Sequence, residues 1–307
     1  MSFQSSRTDM LTRISAVAAT IVLALVATGG GGAAQTAAQK GSASPIALTL
    51  PNKSDSLKFA VLGDFGTGSG EQYDLAAQMK RVHDVFPFEL VTLVGDNLYG
   101  SERPQDFKKK FETPYQPLLE AGVKFYASLG NHDAREQRYY KQFNMDGKLY
   151  YSLKMKQSVR FIALESTYMD PQQVAWLENE LKTSTENWKI PYFHHPPYSS
   201  GDRHGSDQRL REVLEPLFLK YNVSVVFTGH DHFYERTTPQ KGIVYFVCGS
   251  GGQLRKGNID RSSGITAAGN DTDQAFMVAE INGDDLSFNA VSRGGQIIDS
   301  GVITRRK

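Results

Sequence analysis

The sequence holds a single cysteine, Cys248, in 307 residues. That excludes an intrachain disulfide framework and any zinc site built on several thiolates. It is also short of net charge: 34 Lys and Arg stand against 33 Asp and Glu, a balance of +1. A broad nucleic-acid or anionic-membrane surface is therefore not expected, and any anion must be recognised locally. No serine is flanked by glycines two positions before and after, so the nucleophile-elbow signature is missing. The glycine-rich stretch 249–252 has no lysine to make it a phosphate-binding P-loop and reads as a turn. No internal repeat is visible.

What is present is ordinary globular composition, 40% hydrophobic and 22% charged, enough for a sizeable core. The N-terminus is set apart. Arg7 and Arg13 precede an apolar run over 14–27, followed by glycines and by small residues such as Ala33, Ala34, Ala37 and Ala38. This order describes a secretory signal peptide over 1–38. The competing reading is an uncleaved membrane anchor, for which the run falls short of the ~20 residues that span a bilayer. The expected organisation is a signal peptide at 1–38, a flexible linker at 39–56 and one folded domain at 57–305, in a secreted or periplasmic protein with no membrane contact after cleavage.

From Leu57 onward a short apolar run repeatedly ends in a polar cluster, usually with a helical segment after it. Strand-like runs end in Gly63-Asp64-Phe65-Gly66, Gly95-Asp96-Asn97-Leu98-Tyr99 and Gly130-Asn131-His132-Asp133. Others end in His194-His195-Pro196-Pro197-Tyr198, Gly229-His230-Asp231-His232 and Cys248-Gly249-Ser250. Helical spacing covers 71–86, 171–182 and 206–221. Over 104–120 it is interrupted by Pro114 and Pro117, which predicts two pieces or a kink. Further strands are expected at 150–153, 159–164, 275–281 and 286–291, and the polar stretch 255–272 reads as a surface loop. The plan is layered α/β, with ligands at the carboxyl ends of strands.

The strand-end residues Asp64, Asp96, Tyr99, Asn131, His194, His230 and His232, with His132 and His204 beside them, take in five of the seven histidines. Oxygen donors with imidazoles and no thiolate suit iron, zinc or manganese. A carboxylate just past a buried strand can give one oxygen to each of two ions, and two histidines flanking one residue can serve one ion each.

In this order the clusters resemble the calcineurin-like metallophosphoesterases, and among them the purple acid phosphatases, including the small tartrate-resistant type. The resemblance spans the motifs from Asp64 to His232. It implies a four-layer α-β-β-α sandwich of two mixed β-sheets flanked by helices, with two metal ions at one edge. The wider superfamily usually has a histidine where Gly66 stands, whereas purple acid phosphatases use the tyrosine found here as Tyr99. Carried over, Asp64, Tyr99 and His232 would hold Fe(III), Asp96 would bridge, and Asn131, His194 and His230 would hold a divalent Zn, Fe or Mn ion. The family histidine lies two residues before a proline, which selects His194 over His195.

The resemblance implies hydrolysis of small phosphate monoesters by a metal-bound hydroxide, favoured in mild acid. His132, oriented by Asp133, would protonate the leaving alkoxide or bind phosphate. His204 would face substrate; Arg203 and Tyr198 are candidates for phosphate or pocket contacts, with surface roles the equal alternative. A phosphodiesterase or nucleotide hydrolase on the same centre is the rival reaction, although nothing in the loops identifies a nucleobase pocket. A metal-holding binding protein without turnover is the rival outside enzymes. Three N-glycosylation sequons begin at Asn52, Asn222 and Asn270. The sequence leaves oligomeric state open.

Overall fold

A computed structural model describes residues 47–307. The expected signal peptide and the first part of the expected linker lie outside these residues. One sheet has six strands: β1 (Leu57–Leu62), β2 (Leu90–Val94), β3 (Lys124–Ser128), β11 (Ala275–Asn282), β12 (Asp285–Ser292) and β13 (Ile297–Thr304). Their spatial order is β13-β12-β11-β1-β2-β3. The other has seven: β4 (Tyr151–Met155), β5 (Val159–Ala163), β6 (Trp188–Tyr192), β7 (Val225–Thr228), β8 (Tyr234–Thr237), β9 (Val244–Cys248) and β10 (Thr266–Asn270). Their order is β10-β8-β9-β7-β6-β5-β4.

Both sheets are mixed. β1, β2 and β3 run parallel, as do β5, β6, β7 and β9. The remaining pairs are antiparallel. Parallel strands are covered on both faces, and here they are fully buried runs such as LKFAVL in β1 and VVFT in β7. The inner faces meet through aromatic rings. Phe59 of β1 stands edge-on to Phe161 of β5 at 5.0 Å and to Phe227 of β7 at 5.9 Å, while Phe246 of β9 meets Phe288 of β12 at 5.1 Å.

The outer faces are covered by helices: α1 (Gly70–Val85), α2 (Pro104–Phe107), α3 (Thr113–Glu120), α4 (Pro171–Thr183) and α5 (Gln208–Lys220). Leu75, Met79 and Val82 of α1, with Tyr115 and Leu118 of α3, join the core of the six-stranded sheet. Leu177 and Leu181 of α4, with Leu210, Leu214 and Phe218 of α5, pack on Ile162, Val226 and Tyr245 of the seven-stranded one. The result is the four-layer α-β-β-α sandwich. Ser69, Asp170 and Asp207 cap α1, α4 and α5, each accepting from the backbone N–H three residues on, as N-cap residues do.

The expected interruption at 104–120 is absorbed within one continuous helical element. A π-helical turn over Lys108–Glu112 joins α2 to α3. Pro114 has no N–H for the carbonyl of Lys110 four residues earlier, and that carbonyl accepts from the Gln72 side chain of α1 instead. Three strands escape the sequence reading. β8 follows the last histidine motif, β13 is an edge strand, and β10 lies inside the 255–272 stretch read as a loop. β10 is half-exposed and pairs along one side only, with β8, so its composition need not be apolar.

The linker expectation also needs correction over 47–56, because this segment is docked. The Asn52 and Lys53 amides donate to the Glu280 carboxylate at 2.6 and 2.7 Å. Thr49 and Asn289 bond reciprocally, Leu48 and Leu50 lie on the core, and Ser56 is buried. Docking occupies one sequon, since the Asn52 side-chain amide donates to the Val85 carbonyl at 3.0 Å.

Candidate metal centre

Parallel strands put their carboxyl ends on one side, so the loops after β1, β2, β3, β6 and β7 converge where the two sheets meet. Asp64 and Asp96 follow β1 and β2, Asn131 follows β3, His194 follows β6, and His230 and His232 follow β7. Asp64, Asp96 and His230 each sit directly after a glycine, with φ of 54°, 49° and 72°. This left-handed backbone is costly for side-chain-bearing residues and persists only where the surroundings impose it. The imposition is visible: the Asp64 N–H donates to the Gly95 carbonyl at 3.0 Å, and its carbonyl accepts from Gly252 and Gln253. The glycine-rich turn after β9 therefore braces Asp64.

Two groups of donor atoms face each other. In one, the Tyr99 hydroxyl is 3.0 Å from Asp64 Oδ1 and 3.2 Å from His232 Nε2, and His232 Nε2 is 3.4 Å from Asp64 Oδ1. In the other, His194 Nε2 lies 3.1 Å from Asn131 Oδ1, 3.1 Å from His230 Nδ1 and 3.4 Å from Asp96 Oδ1. Ligand atoms of Asp64, Asp96 and His194 all fall within 4.8 Å of one another, so Asp96 stands between the groups. The structure brings all seven residues named from the sequence into one cluster. His230 faces the His194 group and His232 the Tyr99 group.

His194 Nδ1 is 3.0 Å from the Val94 carbonyl. This hydrogen bond places the proton on Nδ1 and leaves Nε2 with a free lone pair, the tautomer a ligand needs. His195 Nδ1 pairs with Ser166 Oγ at 3.0 Å and its ring lies 4.4 Å from that of His230, with one ring nitrogen within 4.8 Å of ring nitrogens of His194 and His230. Its backbone neighbour His194 is wholly buried.

The electrostatics fit cations. Burial, then the neighbouring Asp96 charge, pushes the Asp64 carboxyl well above the usual carboxylate range, and burial raises Asp96 too. Burial, then its histidine neighbours, lowers His194 and His230, and burial and Arg255 bring His232 to about 4. Neutral imidazoles beside carboxylates that burial and mutual repulsion disfavour form a donor set completed by metal ions. Four oxygens and three nitrogens without a thiolate match hard or borderline metals.

Gly66 has a steric reason. A Cβ there would lie 1.9 Å from the Asn97 carbonyl oxygen, so no larger residue can occupy the superfamily's usual histidine position without moving the Asp96 loop. Gly130 is held similarly, since its Cβ would lie 2.2 Å from Asp96 Oδ1.

Two expectations change. Asp133 does not orient the His132 ring. Its carboxylate accepts five N–H donors: the backbone of Asn97, Leu98 and Gly130 and the side chains of Asn97 and Gln137. It thereby shapes the loop that carries Asp96 and Tyr99. Tyr198 is no pocket contact, because its hydroxyl donates to Glu215 and Arg211 stacks on its ring at 3.9 Å, tying it to α5. His132 is exposed, with its ring 5.0 Å from Tyr99. His204 is also exposed, its ring 4.3 Å from His230. Arg203, His204, His195 and His230 line one cavity of about 260 Å³.

Two residues were missed in the sequence. Asp231, between the paired histidines, accepts from Ser199 Oγ and the Gly205 amide and so positions the loop carrying Arg203 and His204. Arg255 is tied by its amide to the His232 carbonyl at 2.9 Å, and its Nη1 is buried without a partner among the described residues. The glycine-rich turn just before Arg255 was the available signal, since it follows a strand ending at the same edge.

Comparison with known proteins agrees with this geometry. Residues 57–234 match the calcineurin-like phosphoesterase family. Purple acid phosphatase 17 of Arabidopsis thaliana is 28% identical over 250 residues, covering 68% of this chain and 73% of the relative. Fe(3+)-Zn(2+) purple acid phosphatase 12 of the same plant is 30% identical over 218 residues, covering 62% of this chain and 45% of the relative. Among solved structures, purple acid phosphatase PPD1 from yellow lupin (Lupinus luteus) seeds superposes with a TM-score of 0.67 at 19% identity, covering 83% of this chain and 55% of that one. GAP50, the anchor in the inner membrane complex of Plasmodium, superposes at 0.69 and 20%, covering 82% and 90%. The chain belongs to the calcineurin-like phosphoesterase family, and the curated relatives it matches include purple acid phosphatases, hydrolases of phosphoric esters.

Proposed function

We propose that this enzyme hydrolyses small phosphate monoesters at a mixed-metal pair, with Asp64, Tyr99 and His232 holding Fe(III), Asn131, His194 and His230 holding a divalent ion, and Asp96 shared. The observation that carries the reading is the convergence of two donor groups on either side of Asp96. A phenol suits a hard, electron-poor ion, and a relative's name specifies Fe(3+) and Zn(2+). When bound, such a pair supplies a nucleophile from water at low pH and neutralises phosphate charge.

The chain's own residues do the rest. Val94 fixes the His194 tautomer, and Tyr99 and His232 share Asp64. Partial burial, then Arg255 and Arg203, lowers the His204 pKa, and His204, lining one cavity with His230, hydrogen-bonds phosphate. Arg203 and Arg255 add positive charge on the same side. Proton delivery to the leaving oxygen falls to His132, exposed beside Tyr99 where that oxygen would emerge. The products are inorganic phosphate and the free alcohol.

The 1–38 segment directs secretion or periplasmic export in this reading. Among the described residues no helix is long and apolar enough to cross a membrane. A structural neighbour, GAP50, is the anchor in the inner membrane complex of Plasmodium, but seven converging ligand-type side chains favour turnover here. Elemental analysis should return two metals per chain, one of them iron. The protein should be purple or pink, and Tyr99→Phe colourless. Iron-free, colourless protein with full activity would move the assignment to a di-zinc or di-manganese centre, and metal-loaded protein without hydrolysis would overturn the enzyme reading.

A further inference from the structure

A cavity of about 760 Å³ has none of the candidate metal ligands in its lining. Its walls include the rings of Tyr139, Tyr150 and Trp176 and the cations Arg135, Arg138 and Lys148. Arg135 also lines a second cavity, of about 240 Å³, together with Asn131 and Tyr168. Arg135 is thus common to a cavity that reaches a candidate ligand of the metal centre and to one with an aromatic wall.

That wall is unusual for a surface. Tyr139 and Tyr168 are 63% and 62% exposed, two of the five large hydrophobic side chains left exposed among the described residues. Each carries a guanidinium over its ring: Arg138 at 4.5 Å from Tyr139 and Arg135 at 5.6 Å from Tyr168. Both arginines come from the short 3₁₀ turn Arg135–Tyr139 just past the Gly-Asn-His-Asp cluster. Deeper in, Tyr150 and Trp176 meet at 4.9 Å. The same wall holds two carboxylates, Glu136 and Glu180, and that of Glu180 is taken by Arg160 and Ser152. Among the described residues, Arg135, Arg138 and Lys148 have no carboxylate within salt-bridge distance.

Flat aromatic faces alternating with planar guanidiniums bind flat heteroaromatic rings by stacking. An aliphatic leaving group would leave these faces in water. We propose that this groove is the leaving-group subsite and takes the nucleobase of a nucleoside monophosphate. The inference rests on the hydrolytic reading of the metal centre. In the reaction water's oxygen joins phosphorus, the phosphorus–oxygen ester bond breaks, and the nucleoside leaves with a proton on its 5′ oxygen.

The test uses the metal-loaded protein and two readouts. Adenosine, which has no phosphate to hydrolyse, should quench tryptophan fluorescence saturably. Trp176 lines the groove, whereas Trp188 is buried in β6, so Trp176→Phe should abolish the response. In turnover, kcat/KM for AMP should exceed that for glycerol phosphate at least tenfold, and Tyr139→Ala should lower the AMP value at least fivefold more than the glycerol phosphate value. Absence of quenching, equal effects of Tyr139→Ala on both substrates, or a phosphotyrosine peptide preferred over AMP would overturn the subsite. If adenosine quenches but neither ester is hydrolysed, the subsite stands and the hydrolytic reading fails. If both esters are hydrolysed without quenching, the reverse holds.

Discussion

At the scale of single residues, the centre trades stability for readiness. Asp64, Asp96 and His230 hold left-handed backbones, each at a cost of order 1–3 kcal/mol, and the two carboxylates are buried close together. Like charges in a dry site repel unless cations lie between them. Asp96→Asn keeps the shape, tolerates the backbone and removes one charge. In chelator its melting temperature should match or exceed that of the wild type, while elemental analysis finds less metal and kcat falls at least 10³-fold. A melting temperature well below wild type in chelator would show that Asp96 is there for stability. His132 and His204 should separate by kinetics. His132→Ala should lower kcat by about 10²–10⁴ on an alkyl phosphate, the usual scale for a general acid. The loss should be smaller for a nitrophenyl ester, whose leaving oxygen needs no proton. His204→Ala should act mainly on KM.

At the scale of elements, the loops matter more than the strands they follow. Gly66 is the sharpest case. Gly66→His puts a Cβ 1.9 Å from the Asn97 carbonyl, so the Asp64 and Asp96 loops must separate. Soluble yield should collapse, or metal should be lost even though a new potential ligand has been added. Asp207→Ala should cost only about 1 kcal/mol, the usual value of an N-cap, read as a small fall in denaturation midpoint without loss of metal. This contrast explains what was legible in the sequence. Buried parallel strands are apolar runs, and a polar cluster at the end of each is conspicuous, so β1, β2, β3, β6 and β7 and their ligand-type residues could be named from residue type and order. Edge strands such as β10 and β13 carry no such mark because half their surface faces water. The Asp133 partners were hidden for a different reason: a carboxylate beside a histidine in sequence invites pairing, while the fold folds the Asn97 loop onto it from another strand. The aromatic groove is assembled from 135–152 and α4, segments that nothing local connects.

At the scale of the whole molecule, the two sheets are closed by contacts between distant parts of the chain, and their edges must endure the acid in which the enzyme is expected to work. The strap at 47–56 depends on Glu280, whose two oxygens take the Asn52 and Lys53 amides. Across the other sheet, Arg160 of β5 holds Glu180 of α4 and Glu186 beyond it at 2.7 and 2.9 Å, and Lys154 of β4 adds a contact to Glu186 at 3.0 Å. Burial alone would raise the Glu186 pKa, yet hydrogen bonds from Ser184, Lys154 and Arg160 bring it from 4.5 to about 2. A carboxylate whose pKa is depressed by folding contributes stability that is complete above its unfolded value and lost as pH falls through its folded one. The window therefore runs from about 4.5 down to about 2, below the mildly acid range of the proposed activity. Glu186→Gln should cost about 0.5–1 kcal/mol at pH 6, discounted for solvent screening, and the wild-type advantage should shrink to nothing near pH 2. Urea denaturation of both proteins at pH 6, 4 and 2.5 measures this directly. A constant difference across those pH values would mean that Glu186 acts through packing, and the acid tolerance of this edge would have to come from elsewhere in the sandwich.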